Sequence, residues 1–209
     1  MTLNYRNSPQ IYVAARAVLN GTGIDPDGVD AAEEHLEFAQ PTATIPILRE
    51  FHTDSEESLW VCGQIRSLIR SGVPEDHIAV ISLDIANSAA FNWDADFRVI
   101  QLDHEPVRRT AIFTKGYVKR MTIHQAKGFE FPIVFLMGLT QDLFVSSSFI
   151  RTSDNAEDVV RALLYVAMTR ARDVLFMSAP GLLLREVADL GPLVVWIWCK
   201  VRDGWNRGR

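Results

Sequence analysis

The heptapeptide Phe131-Pro132-Ile133-Val134-Phe135-Leu136-Met137 contains no charged or hydrogen-bonding side chain. A strand with one wet face alternates apolar and polar residues. A run that is apolar at every position must be covered on both sides, as a parallel strand between two layers of helices is. Gly138 closes the run, and residues 78–83 form a second compact, mostly apolar one. Between and around them lie helical patterns. Ser8-Pro9 opens a helix with an N-cap and a proline at the first position, and Ile11, Ala14, Ala15 and Val18 repeat at helical spacing up to Asn20-Gly21. Asp54, with Glu57 placed for a capping box, starts a second helix with the stripe Val61, Ile65, Leu68 and Ile69, ended by Ser71-Gly72. Residues 156–172 read as a third helix, and 31–38 as a short one. Strands are expected at 45–51, 98–102, 118–123 and 174–178. Alternation of this kind specifies an α/β fold with a mostly parallel central sheet. The apolar tail Leu193–Cys199, followed by Trp205, reads either as a terminal element docked on the domain or as a contact surface for another domain.

The chain has 209 residues, 48% of them hydrophobic and 22% charged, which excludes a disordered or fibrous chain. Two cysteines, Cys62 and Cys199, make no disulfide framework or metal-ligand pattern, and a reducing, cytoplasmic setting is the default. No apolar run is long enough to span a membrane, and no signal peptide is expected from the opening residues, where Asn4, Arg6 and Asn7 interrupt any apolar stretch. The net charge of −5 is unevenly spread. Residues 25–57 carry ten carboxylates and one base, Arg49. Residues 106–129 carry Arg108, Arg109, Lys115, Lys119, Arg120 and Lys127 and no acid. Such a stretch is either a solvated face or a phosphate-binding one.

Three clusters hold candidate chemistry. Asn4-Tyr5-Arg6-Asn7-Ser8 precedes the first helix. Its arginine is unfavourable for the helix dipole unless it points away, toward a phosphate, and its tyrosine offers a stacking face. The segment from Met121 to Phe131 takes an expected strand through a polar turn into the buried heptapeptide. His124, Lys127 and Glu130 recur every third residue, so a helical turn would bring them to one side. Lys127 beside Gly128 can approach phosphate, and Glu130 can accept a bond from a ribose hydroxyl; a solvated turn with a structural histidine is the competing reading. In the third cluster Val159, Leu163 and Val166 form an apolar stripe whose next position is Arg170. A guanidinium at the edge of a buried face is costly unless paired or bordering a site. Arg172 fits a simple helix-end arginine better than Arg170 does, so Arg170 is expected to serve a ligand and not the core.

In this order the clusters resemble motifs IV, V and VI of superfamily 1 helicases of the UvrD/Rep type. Asn4 to Ser8 resembles motif IV, Thr122 to Phe131 motif V, and Leu163 to Ala171, with its Tyr-Val-Ala-Met-Thr-Arg-Ala core, motif VI. The resemblance covers about residues 2–83 and 117–180. It implies a three-layer RecA-like domain, the second (2A) of two motor domains, over residues 1–180, with 181–209 as an apolar, Trp-rich extension. It further implies an ATP cleft shared with an N-terminal RecA-like domain of the same parent protein. Tyr5 would stack on adenine and Arg6 would reach the γ-phosphate. Gly128 and Glu130 would lie at the nucleotide, with Glu130 on the ribose, and Arg170 would be the arginine finger. Thr122, His124 and Lys127 would join the nucleotide to a single-stranded DNA track.

There is no Gly-x-x-x-x-Gly-Lys-[Ser/Thr] and so no P-loop in this chain. Ligands for Mg2+ are likewise expected in the N-terminal motor domain, and the isolated chain is expected to be inactive. Only about 33 residues separate Leu83 from Tyr117, where larger relatives insert a further domain (2B). The competing reading is a non-catalytic helicase-like module that binds DNA or a protein partner.

Overall fold

The computed structural model describes residues 3–4, 7–24, 37–38, 44–83, 97–102, 112–142 and 155–197. In chain order these form β1 (Leu3–Asn4), α1 (Pro9–Val18), β2 (Glu37–Phe38), β3 (Ile47–Phe51), α2 (Asp54–Arg70), β4 (Ile78–Ser82), β5 (Val99–Gln101), β6 (Val118–Thr122), β7 (Phe131–Met137), α3 (Ala156–Met168), β8 (Ala171–Pro180), α4 (Arg185–Ala188) and β9 (Val195–Ile197). β1 and β2 pair as a small parallel ribbon. The other seven strands make one sheet in the order β5-β6-β4-β7-β8-β3-β9. All its pairings are parallel.

The all-apolar heptapeptide lies where its composition requires, between β4 and β8. Its side chains alternate between two cores. Val134 and Leu136 join α1 (Ile11, Ala14, Ala15, Val18) and α3 (Val160, Leu164, Ala167, Met168) on one face. Ile133, Phe135 and Met137 join α2 (Val61, Cys62, Ile65) on the other. Phe135 stacks on Phe176 at 4.6 Å between centroids, and Trp60 meets both edge-on. Each such side chain, fully buried, contributes about 1.5–3 kcal/mol of transfer free energy, so helices on both faces are what make a sheet this apolar stable. The result is a three-layer α/β architecture.

Several elements differ from the sequence expectation. Residues 37–38 are extended and paired with β1 rather than helical, and residues 31–36 lie outside the described residues. α2 is capped by Thr53, whose Oγ1 accepts from Glu56 N at 3.2 Å, and Glu56 reaches back to His52 N at 2.9 Å. The cap sits one residue earlier than expected because Glu57 is drawn inward. Its Oε1 accepts from Ser178 Oγ at 2.6 Å and from Gly138 N at 3.0 Å. α3 ends at Met168 and not at residue 172. Thr169 Oγ1 donates to Tyr165 O and Val166 O, and β8 begins at Ala171. The buried face of α3 is Val160, Leu164, Ala167 and Met168, one step round from the expected stripe. In the tail, Val195–Ile197 pairs with β3 at the sheet edge, with Trp196 packed against the core; Trp198, Cys199 and Trp205 lie outside the described residues.

The basic stretch is divided by the fold. Lys119 and Arg120 are buried in β6, whereas Lys115 and Lys127 are exposed; Arg108 and Arg109 lie outside the described residues. Lys119 Nζ donates to Thr114 O. Burial pushes its pKa down, partly offset by Asp76. Lys119 and Arg120 therefore serve the sheet and do not offer charge to a phosphate at the surface.

Candidate functional site

The amino ends of β7 and β8 lie side by side, with Phe131 level with Ala171. Arg170 precedes β8 and Glu130 precedes β7, so parallel pairing brings the two together from 40 residues apart in sequence. Arg170 is 7% exposed and lies beyond the C-cap of α3, not on a helix stripe. Its Nε donates to Val166 O at 2.8 Å, Nη1 to Phe129 O at 3.2 Å and Nη2 to Thr169 Oγ1 at 3.1 Å. Its own carbonyl accepts from Phe131 N at 2.9 Å. A cation on the last-turn carbonyls of a helix is stabilised by the helix dipole. The assignment of that role to Arg172 is therefore corrected: Arg172 is exposed and pairs with Asp173 at 3.3 Å. Arg170 is also part of the folded framework, contrary to the expectation that it stands apart from the core. The physical reason is that its guanidinium bonds oxygens on both sides of the junction, from the end of α3 and from the residues before β7.

A third segment joins this edge. The carboxamide of Asn7, 6% exposed, donates from Nδ2 to Thr169 O at 2.9 Å and to Ala171 O at 2.6 Å. Ser8 N donates to Arg172 O at 2.9 Å. The residues before α1 are thus fastened to the residues on either side of Arg170. Tyr5 and Arg6 lie outside the described residues.

Thr122 ends β6 and opens a compact turn. Thr122 N donates to Gln125 Oε1 at 2.8 Å, and Gln125 N donates to Thr122 Oγ1 at 3.2 Å, which is a reciprocal capping box. Ile123 and Ala126 are buried, and His124, Lys127 and Gly128 are exposed. The turn closes at Gly128, whose φ of 89° an L side chain adopts only at a cost. The exposed Glu130 does not share a side with His124. Thr122 is level with Ser82 and hence with Met137, at the carboxyl end of β7, whereas Glu130 precedes its amino end. The seven residues of β7 separate these levels, or roughly 23 Å at about 3.3 Å per residue. The turn therefore crosses the sheet and carries His124 near one edge and Glu130 to the other.

Among the described residues no group of three His, Cys, Asp or Glu side chains could hold a metal ion. Also among them, no helix is long and apolar enough to cross a membrane.

Residues 98–180 match the family described as UvrD-like helicase C-terminal domain. Over that segment the chain is similar to UvrD-like helicase C-terminal domains. The ATP-dependent DNA helicase PcrA of Staphylococcus aureus (strain Mu50) is 46% identical over 66 residues, spanning 31% of this chain and 9% of that protein. PcrA of Staphylococcus epidermidis (strain ATCC 35984) is 44% identical over 66 residues with the same coverage. The chain therefore matches a small part of the length of these relatives. Among solved structures, the C-terminal domain of a possible DNA helicase from Lactobacillus plantarum WCFS1 superposes with a TM-score of 0.64 at 17% identity. That match covers 92% of this chain and 98% of the other, and it shows the fold.

Three polar residues have positions that sequence patterning did not indicate. Asn7 has partners in the far part of the chain, so local spacing carries no signal for it. Thr169 was legible only as the residue before Arg170. Glu57 looked like a cap and is instead a buried carboxylate at the carboxyl ends of β7 and β8. Burial pushes its pKa up, against the lowering effect of Ser178 and Gly138, with Asp54 adding to the rise.

Proposed function

We propose that this chain is the second motor domain of an ATP-dependent DNA helicase or translocase, supplying half of the ATP cleft and part of a single-stranded DNA track. An N-terminal RecA-like domain of the same parent protein would supply the phosphate cradle and the Mg2+ ligands. The reading places the enzyme in the cytoplasm. One observation carries it: the segments that resemble motifs IV, V and VI are bonded into one edge around the Arg170 guanidinium.

Within this reading Tyr5 stacks on adenine, Arg6 reaches the γ-phosphate, and Gly128 and Glu130 line the nucleotide, with Glu130 on the ribose. Arg170 meets charge that builds on the γ-phosphoryl oxygens during transfer. Three of its acceptors, Val166 O, Phe129 O and Thr169 Oγ1, are neutral oxygens. A phosphate competes with them as a stronger, charged acceptor. Thr122 and His124 stand near the opposite edge, where a DNA strand would be felt, and Lys127 lies along the turn between them and Glu130, which is the mechanical link. The chain alone lacks the other half of the cleft and should not turn over ATP. Steady-state ATPase assays of the chain and of the full-length protein, each with and without single-stranded DNA, test this. DNA-stimulated turnover in the full-length protein alone is expected; turnover that co-purifies with the isolated chain and is lost in Arg170→Ala would overturn the half-cleft reading.

A further inference from the structure

We infer that Asn7 is a positioning residue for Arg170: its carboxamide fixes the backbone on both sides of that arginine and so sets where the guanidinium is delivered. The inference rests on the reading of Arg170 as the group that meets the nucleotide.

An amide nitrogen has two protons, and both are used here. One bond goes to Thr169 O, 2.9 Å away, and the other to Ala171 O, 2.6 Å away. Two carbonyl acceptors on one atom identify that atom as nitrogen whatever the ambiguity of the amide. The two acceptors belong to the residues before and after Arg170. Thr169 O lies at the C-cap of α3, where helical carbonyls lack intrahelical donors. Ala171 O is the first carbonyl of β8. Asn7 therefore spans the junction at which the chain changes from helix to strand, the place where a backbone has most freedom to pivot. Ser8 N continues the ladder to Arg172 O. On the other side, Phe131 N holds the Arg170 carbonyl itself. With carbonyls 169, 170, 171 and 172 all engaged, the peptide planes around Arg170 are fixed.

Other side chains would not do this work equally well. A serine hydroxyl has one proton and could hold only one carbonyl at a time. Aspartate has the same shape and no proton to give when ionised, so it would set a negative oxygen against two carbonyl oxygens. Burial of Asn7 makes loss of its bonds more consequential than it would be at the surface. The arrangement also fastens motif IV to motif VI.

The test combines kinetics on the full-length protein with a spectroscopic reading of Arg170 in the labelled chain. Asn7→Asp removes both donors, and Asn7→Ser keeps one if the aspartate variant fails to fold. The expected result is a fall in kcat on the order of a hundredfold, the scale of a misplaced catalytic group, with KM for ATP changed little. Combined with Arg170→Ala, the Asn7 variant should add no further loss, because both act through one guanidinium. In the chain, the Arg170 Nε–H resonance, held by Val166 O, should lose about tenfold or more of its exchange protection while core amides such as Leu136 and Met177 keep theirs. A variant that lowers the melting temperature but leaves kcat and the Arg170 Nε–H protection intact would overturn the inference. If Arg170→Ala itself spares turnover, the nucleotide reading fails at that step, and the exchange measurement still decides whether Asn7 holds Arg170.

Discussion

The two segments that carry the candidate residues are held by different kinds of bond. At the amino ends of β7 and β8 the partners are remote in sequence. Asn7 reaches carbonyls 162 and 164 residues away, and Arg170 reaches one 41 residues away. At the carboxyl end of β6 the Thr122–Gln125 turn is closed by bonds three residues apart. The first edge exists only when the whole domain has folded and buries its polar atoms. The second is a turn closed by its own side chains, anchored to β4 through Ile123 N and Ser82 O, that displays His124 and Lys127 to solvent. A rigid, buried edge suits the placement of a charge against a reacting group, and an exposed turn on a fixed base suits contact with a flexible strand of nucleic acid.

The comparison is most strongly challenged at Arg170. In the full-length protein Arg170→Ala should reduce turnover about a thousandfold or more while nearly sparing ATP binding. Arg170→Lys keeps the charge but not the planar fork and should rescue poorly. Because the guanidinium caps Val166 O and Phe129 O, the alanine variant should also cost the fold about 1–3 kcal/mol, read by urea denaturation. Loss of stability with turnover intact would reduce the amino edge to a structural junction.

Glu57 gives the carboxyl edge a remote tie of its own, to partners 121 and 81 residues away. Glu57→Ala leaves Ser178 Oγ and Gly138 N unpaired and should cost about 1–3 kcal/mol. Glu57→Gln keeps an acceptor and should cost less. Because burial raises this carboxyl, the folded state keeps the proton where the unfolded chain has lost it. Stability should therefore fall as pH rises from the ordinary carboxylate range to the raised value, and the glutamine variant should flatten that slope. Denaturation midpoints measured across pH check the sign; a slope that survives in Glu57→Gln would assign it to other groups.

Smaller effects are expected in the turn. Gln125→Ala removes one arm of the capping box and should cost about 1 kcal/mol, without disturbing the amino edge. At the exposed positions, His124→Ala and Lys127→Ala should change stability by less than about 0.5 kcal/mol. DNA binding by the chain should be weak and salt-dependent, and Lys127→Ala should lower the log–log salt slope by about one unit. His124→Ala should impair DNA stimulation of ATPase more than nucleotide affinity; equal loss of both would dissolve the distinction between the edges. Anisotropy titrations at several salt concentrations and stimulated ATPase assays read these out.

What the sequence made legible follows the same division. β7 was readable residue by residue because burial on both faces leaves an unbroken apolar run. α1 was readable because its start, stripe and stop are local. The end of α3 was not, because helical periodicity continues through Arg170 while a strand partner and Thr169 end the helix earlier. The site divides likewise. The order of its three clusters was visible, but the separation of His124 from Glu130 depends on how two strands align through β4. The role of Asn7 depends on a partner at the other end of the domain. Lys119 and Arg120 belonged to a basic stretch by composition and went inside because β6 is an interior strand.

The pairing of β3 with β8 has a consequence for synthesis. When β3 leaves the ribosome, neither of its neighbours in the sheet exists, and both lie more than a hundred residues downstream. At about 5–20 residues per second, α1, β3 and their apolar faces wait on the order of ten seconds for β8 to appear. During that interval Leu48, Ile11 and Val18 have no core to enter, and the nascent chain presents a sticky amphipathic helix and an unpaired strand. Translation speed and chaperone supply should therefore govern the yield of this domain more than its final stability does, and slowing synthesis near the codons of β8 should lengthen the exposure.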